Sequence, residues 1–219
     1  VSVAVMSGLA PEIQLVQLRA ISKVSHGAHD GKPLSVKQVQ TLFAYLKQNT
    51  SVLGIRNYAV LATLLGTGLR RSELVALLLQ DYVAGSALIV RKGMGNKSRT
   101  VHLPEWTHDA LNEWLALRGK HKGYLFHRVA RGGNIQHDTH LSSCAVYSLI
   151  RNSLSAIGIE GVSPHDLRRT FITRLLEQNV DLNTVRQMAG HADISTTIMY
   201  DKRSEKVMQQ AASLLSYKL

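Results

Sequence analysis

From residue 55 to residue 65 the sequence is almost wholly apolar, and the run stops at Gly66-Thr67-Gly68. A helix that is apolar on all sides has to be buried, so this segment is expected to be the central helix of the fold. Arg70 and Arg71 follow the second glycine after one leucine, Leu69, at the point where one helix ends and another begins. The chain therefore has a core element whose end carries two guanidinium groups.

The remaining pattern is mostly helical. Ser35 followed by Gln38 reads as a capping box for a helix with Val39, Leu42, Phe43 and Leu46 facing inward. A short helix is expected over residues 72–79, and further helices over residues 107–117, 141–157 and 164–178. Asp181 caps another helix, which Gly190 terminates. Residues 87–91 and 99–103 are rich in Ile, Val and Leu, and the tract Lys92-Gly93-Met94-Gly95-Asn96-Lys97 between them forms turns, so a β-hairpin is expected. Val207, Met208, Ala211, Leu214 and Leu215 mark a final amphipathic helix. The expected class is mainly α with one small antiparallel sheet (α+β), in a chain of 219 residues that buries one sizeable core.

Charge narrows the partner. Lys and Arg total 26 against 15 Asp and Glu, a net charge of +11. That balance favours a polyanion, and with no long apolar run or basic amphipathic anchor in view, nucleic acid is preferred to a membrane. A single cysteine, Cys144, forms no internal disulfide, in keeping with a reducing cytoplasm. Residues 1–9 lack the charged start of a signal peptide.

Chemistry concentrates near the C-terminus. In Ser163-Pro164-His165-Asp166-Leu167-Arg168-Arg169-Thr170 a serine cap, a proline at the first helical position and an acidic first turn make a strong helix start. His165 and Arg168 then share a face near the positive end of that helix, where a phosphate would meet N–H groups, an imidazole and a guanidinium. Glu73, three residues after Arg70, is placed to hold that arginine; an ordinary surface ion pair is the rival reading. His191 follows Gly190 at a helix end, where it serves either as a phosphate donor or as a cap. Tyr200 lies among polar neighbours. A phenol with a pKa of about 10 becomes a nucleophile when a phosphate is held in line and its charge neutralised. One preorganised donor supplies about 2.7–4 kcal/mol of the roughly 8–23 kcal/mol an enzyme removes, so several such groups are needed.

These motifs resemble the catalytic domain of the tyrosine recombinases, the integrase family of phages, plasmids and transposable elements. Thr67-Gly68-Leu69-Arg70-Arg71-Ser72-Glu73-Leu74 is similar to its first arginine motif and residues 165–170 to the second, while Gly190-His191 and Tyr200 complete the set. The resemblance implies the DNA breaking-rejoining fold and a catalytic group of Arg70, His165, Arg168, His191 and Tyr200. Tyr200 would attack a phosphodiester to leave a 3′-phosphotyrosyl link and a free 5′-hydroxyl, with no metal and no cofactor. It further implies double-stranded DNA as partner, a tetramer on that DNA, and exchange of the C-terminal tail, residues 204–219, between subunits. Arg71, Arg99, Arg169 and Lys202 are expected at the DNA backbone.

Two departures stand out. Where the family places a lysine in the hairpin turn as proton donor, this chain has Met94, whose thioether donates no proton. Lys92 and Lys97 flank it and are the replacements. Residues 1–32 are also too short for the family's N-terminal domain. They read as its trailing helix and linker, followed by a catalytic domain over residues 33–219, in a chain expected to be a fragment.

Three rivals remain. A type IB topoisomerase shares the chemistry. A non-catalytic helix-turn-helix protein would use residues 170–189 alone. A metal-dependent nuclease built on His165, Asp166 and His191 lacks carboxylates at ligand spacing.

Overall fold

The computed structural model describes residues 31–83, 86–91, 98–191 and 193–201. They belong to a unit that begins at Gly31. The proposed N-terminal helix, the hairpin turn with Lys92, Met94 and Lys97, Lys202 and the C-terminal tail lie outside the described residues.

Helix α1, Val36–Lys47, starts with the expected reciprocal cap. The Gln38 N–H donates to Ser35 Oγ at 3.2 Å, and the Ser35 N–H donates to Gln38 Oε1 at 2.8 Å. Helix α2, Val52–Thr67, is the central element. Val60, Leu61, Ala62 and Leu64 on successive faces are all essentially without solvent exposure. It ends on Gly68 in the left-handed conformation, φ +63°.

Helix α3, Arg71–Ala76, begins one residue before the expected start, because the Glu73 carboxylate accepts the Arg70 N–H at 2.8 Å and so caps the first turn. It also stops earlier than expected. Leu77 turns extended, and the Leu77 carbonyl and Leu79 N–H bond to Leu125 and Gly123 instead of continuing the helix.

A 3₁₀ turn, Leu79–Asp81, leads into a three-stranded antiparallel sheet of β1 (Tyr82–Val83), β2 (Ala87–Val90) and β3 (Arg99–His102). Leu88 pairs with Val101 across the expected hairpin. Helix α4, Glu105–Arg118, packs along α2.

A second antiparallel sheet follows, β4 (His127–Val129) with β5 (Ile135–His140), where one sheet was expected. Its outer strand, Ile-Gln-His-Asp-Thr-His, has no apolar alternation to announce it. Backbone pairing to the buried β4 holds it in place. Helices α5 (Ser143–Ser155), α6 (Pro164–Glu177), α7 (Leu182–Ala189) and the short α8 (Ser195–Ile198) complete the described order.

Two apolar clusters result. The large one surrounds α2, with Leu42, Leu111, Trp114, Phe126 and Ile150 among its members. The small one joins Phe171, Ile172 and Leu176 of α6 to Val185 and Ala189 of α7 and to the ring of Tyr200. A glycine is required where the clusters meet. A Cβ on Gly68 would lie 2.3 Å from Phe171 Cδ1, on a backbone that L side chains already avoid. Gly158 has a similar φ of +75°, but a Cβ there meets nothing within 4 Å.

Gly68→Ala is therefore expected to lower stability by about 2 kcal/mol or more, roughly 4–8 °C in Tm for a chain of this size. Gly158→Ala should cost only the backbone strain. Equal melting shifts in the two variants would show that the contact with Phe171 contributes nothing.

Candidate active site

The five residues read from the sequence converge around the ends of α2, α6 and α7. Arg168, one turn into α6, is buried at 3% exposure. Its Nη1 donates to the Gly68 carbonyl at 2.7 Å and its Nη2 to the Ala189 carbonyl at 2.6 Å. Each carbonyl stands at the C-terminus of a helix, where unsatisfied C=O groups carry partial negative charge. One guanidinium thus ties the first arginine motif to the loop before His191. Burial first, then the Arg70 charge, bring Arg168 down to about 10, so it remains a cation at neutral pH.

Arg70 precedes α3 and is held by Glu73 as the spacing anticipates, with Nη1 to Oε1 at 3.0 Å. Its Nη2 donates to the Gly190 carbonyl at 3.3 Å. The Glu73 carboxylate, nearly buried, also accepts Arg99 Nη1 at 2.9 Å and Nη2 at 2.8 Å. Burial raises the pKa of this carboxyl, but the Arg99 hydrogen bonds and the cap to Arg70 outweigh it and hold it low. Arg99, expected at the DNA backbone, is instead turned inward, its side chain 13% exposed and both terminal nitrogens on Glu73.

His165 and Tyr200 meet directly. His165 Nε2 lies 3.2 Å from the Tyr200 hydroxyl, although 35 residues separate them. The Tyr200 ring is buried in the small core, with His191 stacked at 6.3 Å and the Arg169 guanidinium 5.4 Å above it. Arg169 also donates to the Gly31 carbonyl.

His191 is buried, and its Nδ1 lies 2.8 Å from Thr197 Oγ1. The rival reading of His191 as a cap is met by its backbone, whose N–H bonds the Arg186 carbonyl. Thr197, fully buried on α8, escaped the sequence reading because no helical spacing links it to His191. Desolvation, then Arg168 and Arg70, lower His191 to about 4. Partial burial followed by Arg168 and Arg169 lowers His165 as well. Both imidazoles are neutral near pH 7.

A cleft of about 300 Å³ opens beside these groups, lined by Arg70, Arg71, Tyr147, Ser163, His165 and Arg168 among others. Arg71 stacks over the Tyr147 ring at its wall, 5.7 Å from the centroid. Asp166 does not face the cleft as a metal ligand would. Its Oδ2 accepts the Ser163 N–H at 2.8 Å and hydroxyl at 2.7 Å and closes the α6 cap. Among the described residues no three His, Cys, Asp or Glu side chains are placed to hold a metal ion. Helices α6 and α7 do form a helix pair joined by a short turn, and their inner faces build the small core beneath Tyr200.

Residues 32–206 match the phage integrase family. The chain belongs to that family. Among its relatives is the tyrosine recombinase XerD of Rickettsia conorii, 35% identical over 185 residues that span 76% of this chain and 58% of that protein. The tyrosine recombinase XerA of Pyrococcus furiosus is 31% identical over 181 residues, spanning 82% of this chain and 60% of the other. The chain thus spans rather more than half the length of the curated relatives it matches. In structure it resembles the XerA recombinase, with a TM-score of 0.67 at 26% identity over 92% of this chain and 69% of the other. It also resembles the XerH site-specific recombinase bound to palindromic difH substrate in a post-cleavage complex, with a TM-score of 0.68 at 25% identity over 90% of this chain and 57% of that one. No helix among the described residues is long and apolar enough to cross a membrane.

The depressed His191 pKa carries a stability consequence for this family member. Between about pH 6.5 and about pH 4 the unfolded state binds a proton that the folded state refuses, so folding stability falls as the pH drops through that window. The loss at the bottom of the window is on the order of 3 kcal/mol from this residue alone. Urea titrations at pH 7 and pH 4.5 should show it. His191→Asn should flatten the dependence, and an unchanged slope in that variant would refute the assignment.

Proposed function

We propose that this chain is the strand-cleaving and rejoining part of a site-specific DNA recombinase. The observation that carries the proposal is the 3.2 Å approach of Tyr200 Oη to His165 Nε2 at the edge of a cleft that both Arg70 and Arg168 line. A nucleophile, a base and two cations stand where one phosphodiester would fit.

In this reading a scissile phosphate enters the cleft and is gripped by Arg70 and Arg168. Arg168 carries five N–H donors, of which two hold the helix-end carbonyls. His191, with Nδ1 accepting from the Thr197 hydroxyl, carries its proton on Nε2 and offers it to a non-bridging oxygen. Tyr200 passes its phenolic proton to His165 and attacks phosphorus. The bond to the 5′-oxygen breaks as the tyrosyl–phosphorus bond forms, leaving a 3′-phosphotyrosine. A 5′-hydroxyl from a partner strand reverses the step and completes the exchange.

Neutral His165 suits the role of base. The phosphate's negative charge opposes the Arg168 and Arg169 fields that depress its pKa, so its affinity for a proton rises when substrate is present. The leaving 5′-oxygen needs a proton of its own. Met94 does not supply one, and Lys92 or Lys97 in the same turn does. Arg71 and Arg169, with Lys202 from the sequence, are the contacts proposed for the flanking backbone, and an affinity with a steep salt dependence follows. Double-stranded DNA is the partner, bound by a homotetramer whose subunits exchange residues 204–219.

Trapping on a nicked suicide duplex tests the scheme. Wild type is expected to form a covalent protein–DNA adduct, undiminished by EDTA. Tyr200→Phe should bind the duplex with unchanged affinity and form none. An adduct that persists in Tyr200→Phe would remove Tyr200 as nucleophile. Replacing Lys92 and Lys97 singly by Ala should reveal the proton donor as the variant whose cleavage rate falls by about 10²-fold or more. That defect should disappear on a substrate with a 5′-thiol-type leaving group. Truncation after Arg203 should spare adduct formation and impair strand exchange.

A further inference from the structure

Glu73 is a buried carboxylate between two arginines. One oxygen receives Arg70 Nη1 and Arg99 Nη1, and the other receives the Arg70 N–H and Arg99 Nη2. Four donors converge on one side chain that is itself only 5% exposed. Were Arg70 its only partner, the pair would be formally neutral, and the first cation of the cleft would present little field to an incoming anion. With Arg99 bound, the three side chains carry one net positive charge.

Arg99 also holds the backbone on the far side of the cleft. Gly190 adopts a left-handed φ of +68°, and a Cβ there would sit 2.7–2.8 Å from Cζ, Nε and Nη1 of Arg99. The peptide that presents the Gly190 carbonyl to Arg70, and then His191, therefore rests on the Arg99 guanidinium. Arg99 is the first residue of β3, two positions after Lys97 in the chain. One side chain thus joins the hairpin, the Arg70 turn and the His191 loop.

We propose that Arg99 is a positioning residue of the cleavage reaction: it neutralises Glu73 so that Arg70 keeps its charge for the scissile phosphate, and it seats Gly190 and His191 against the same phosphate. The inference rests on the recombinase reading, and it departs from the sequence expectation that Arg99 grips the DNA backbone. A phosphate ligand and a positioning residue differ in what their loss changes. Losing a phosphate contact weakens DNA binding and lowers the slope of log K against log salt by about 0.9. Losing a positioning residue slows cleavage within a complex that forms as before.

The test uses the full chain and a nicked suicide duplex on which wild type forms adduct. Wild-type adduct formation, abolished in Tyr200→Phe, decides the recombinase reading by itself, and Arg99 is judged from variant-to-wild-type ratios. Arg99→Gln should bind the duplex within about twofold of wild type with an unchanged salt slope, and should cleave about 100-fold more slowly in single turnover. Combining it with Glu73→Gln removes the charge that needed neutralising and should recover at least about tenfold of that rate. Arg99→Lys, which keeps the charge without the two-pronged contact, should fall between wild type and Arg99→Gln and serves if the glutamine variant does not fold. Melting curves at the assay pH confirm that each variant is folded. A wild-type cleavage rate in folded Arg99→Gln overturns the proposal. So does a loss of affinity and salt slope that accounts for the whole defect, or a double variant no faster than Arg99→Gln.

Discussion

A buried arginine holds the site together. Arg168 lies between the C-termini of α2 and α7 and bonds to the carbonyl of Gly68, which caps the first, and of Ala189, which ends the second. Those carbonyls have no partner within their own helices, and the guanidinium matches both their geometry and their partial charge. The arrangement locks the small core, which carries Tyr200, to the large core, which carries Arg70. An aliphatic side chain at this position would leave both helix ends unpaired and the two cores free to shift against one another. The group that would bind a phosphate is thus also the group that builds the place where the phosphate sits.

The electrostatics follow from that packing. Burial first, then the neighbouring arginine charges with Arg168 foremost, depress the two histidines, and Glu73 is the counter-charge that makes two neighbouring guanidiniums tolerable. Neutral imidazoles, the Tyr200 hydroxyl against His165 and cations already held in place suit the phosphate of the proposed reaction. Preorganisation of this kind removes the reorganisation that water would otherwise demand.

Much of this was legible in the chain. The capping box at Ser35, the αL stop at Gly190 and the buried run in α2 are local patterns with local physical causes, and they occur where expected. The Glu73 contact to Arg70 is a single turn of helix and could be read from spacing. The second sheet could not, because β5 has a polar sequence whose strand state depends on its neighbour. The Arg99 contact was hidden for a related reason: 26 residues separate this strand arginine from its buried carboxylate partner, and no local spacing links them. Thr197 left no trace at all.

The sequence by itself determined the caps at Ser35, Asp181 and Gly190, the central buried helix, the basic character and the set of reactive side chains, since each is written in the residues themselves or in neighbours a few positions away. It also carried the family motifs in order. Only the tertiary structure decided which side chains touch. His165 meets Tyr200 across 35 residues, Arg168 reaches Gly68 across 100, and Arg70 reaches Gly190 across 120. Those separations are closed by two apolar cores and one buried cation, and the chemistry of the site exists only once they are closed.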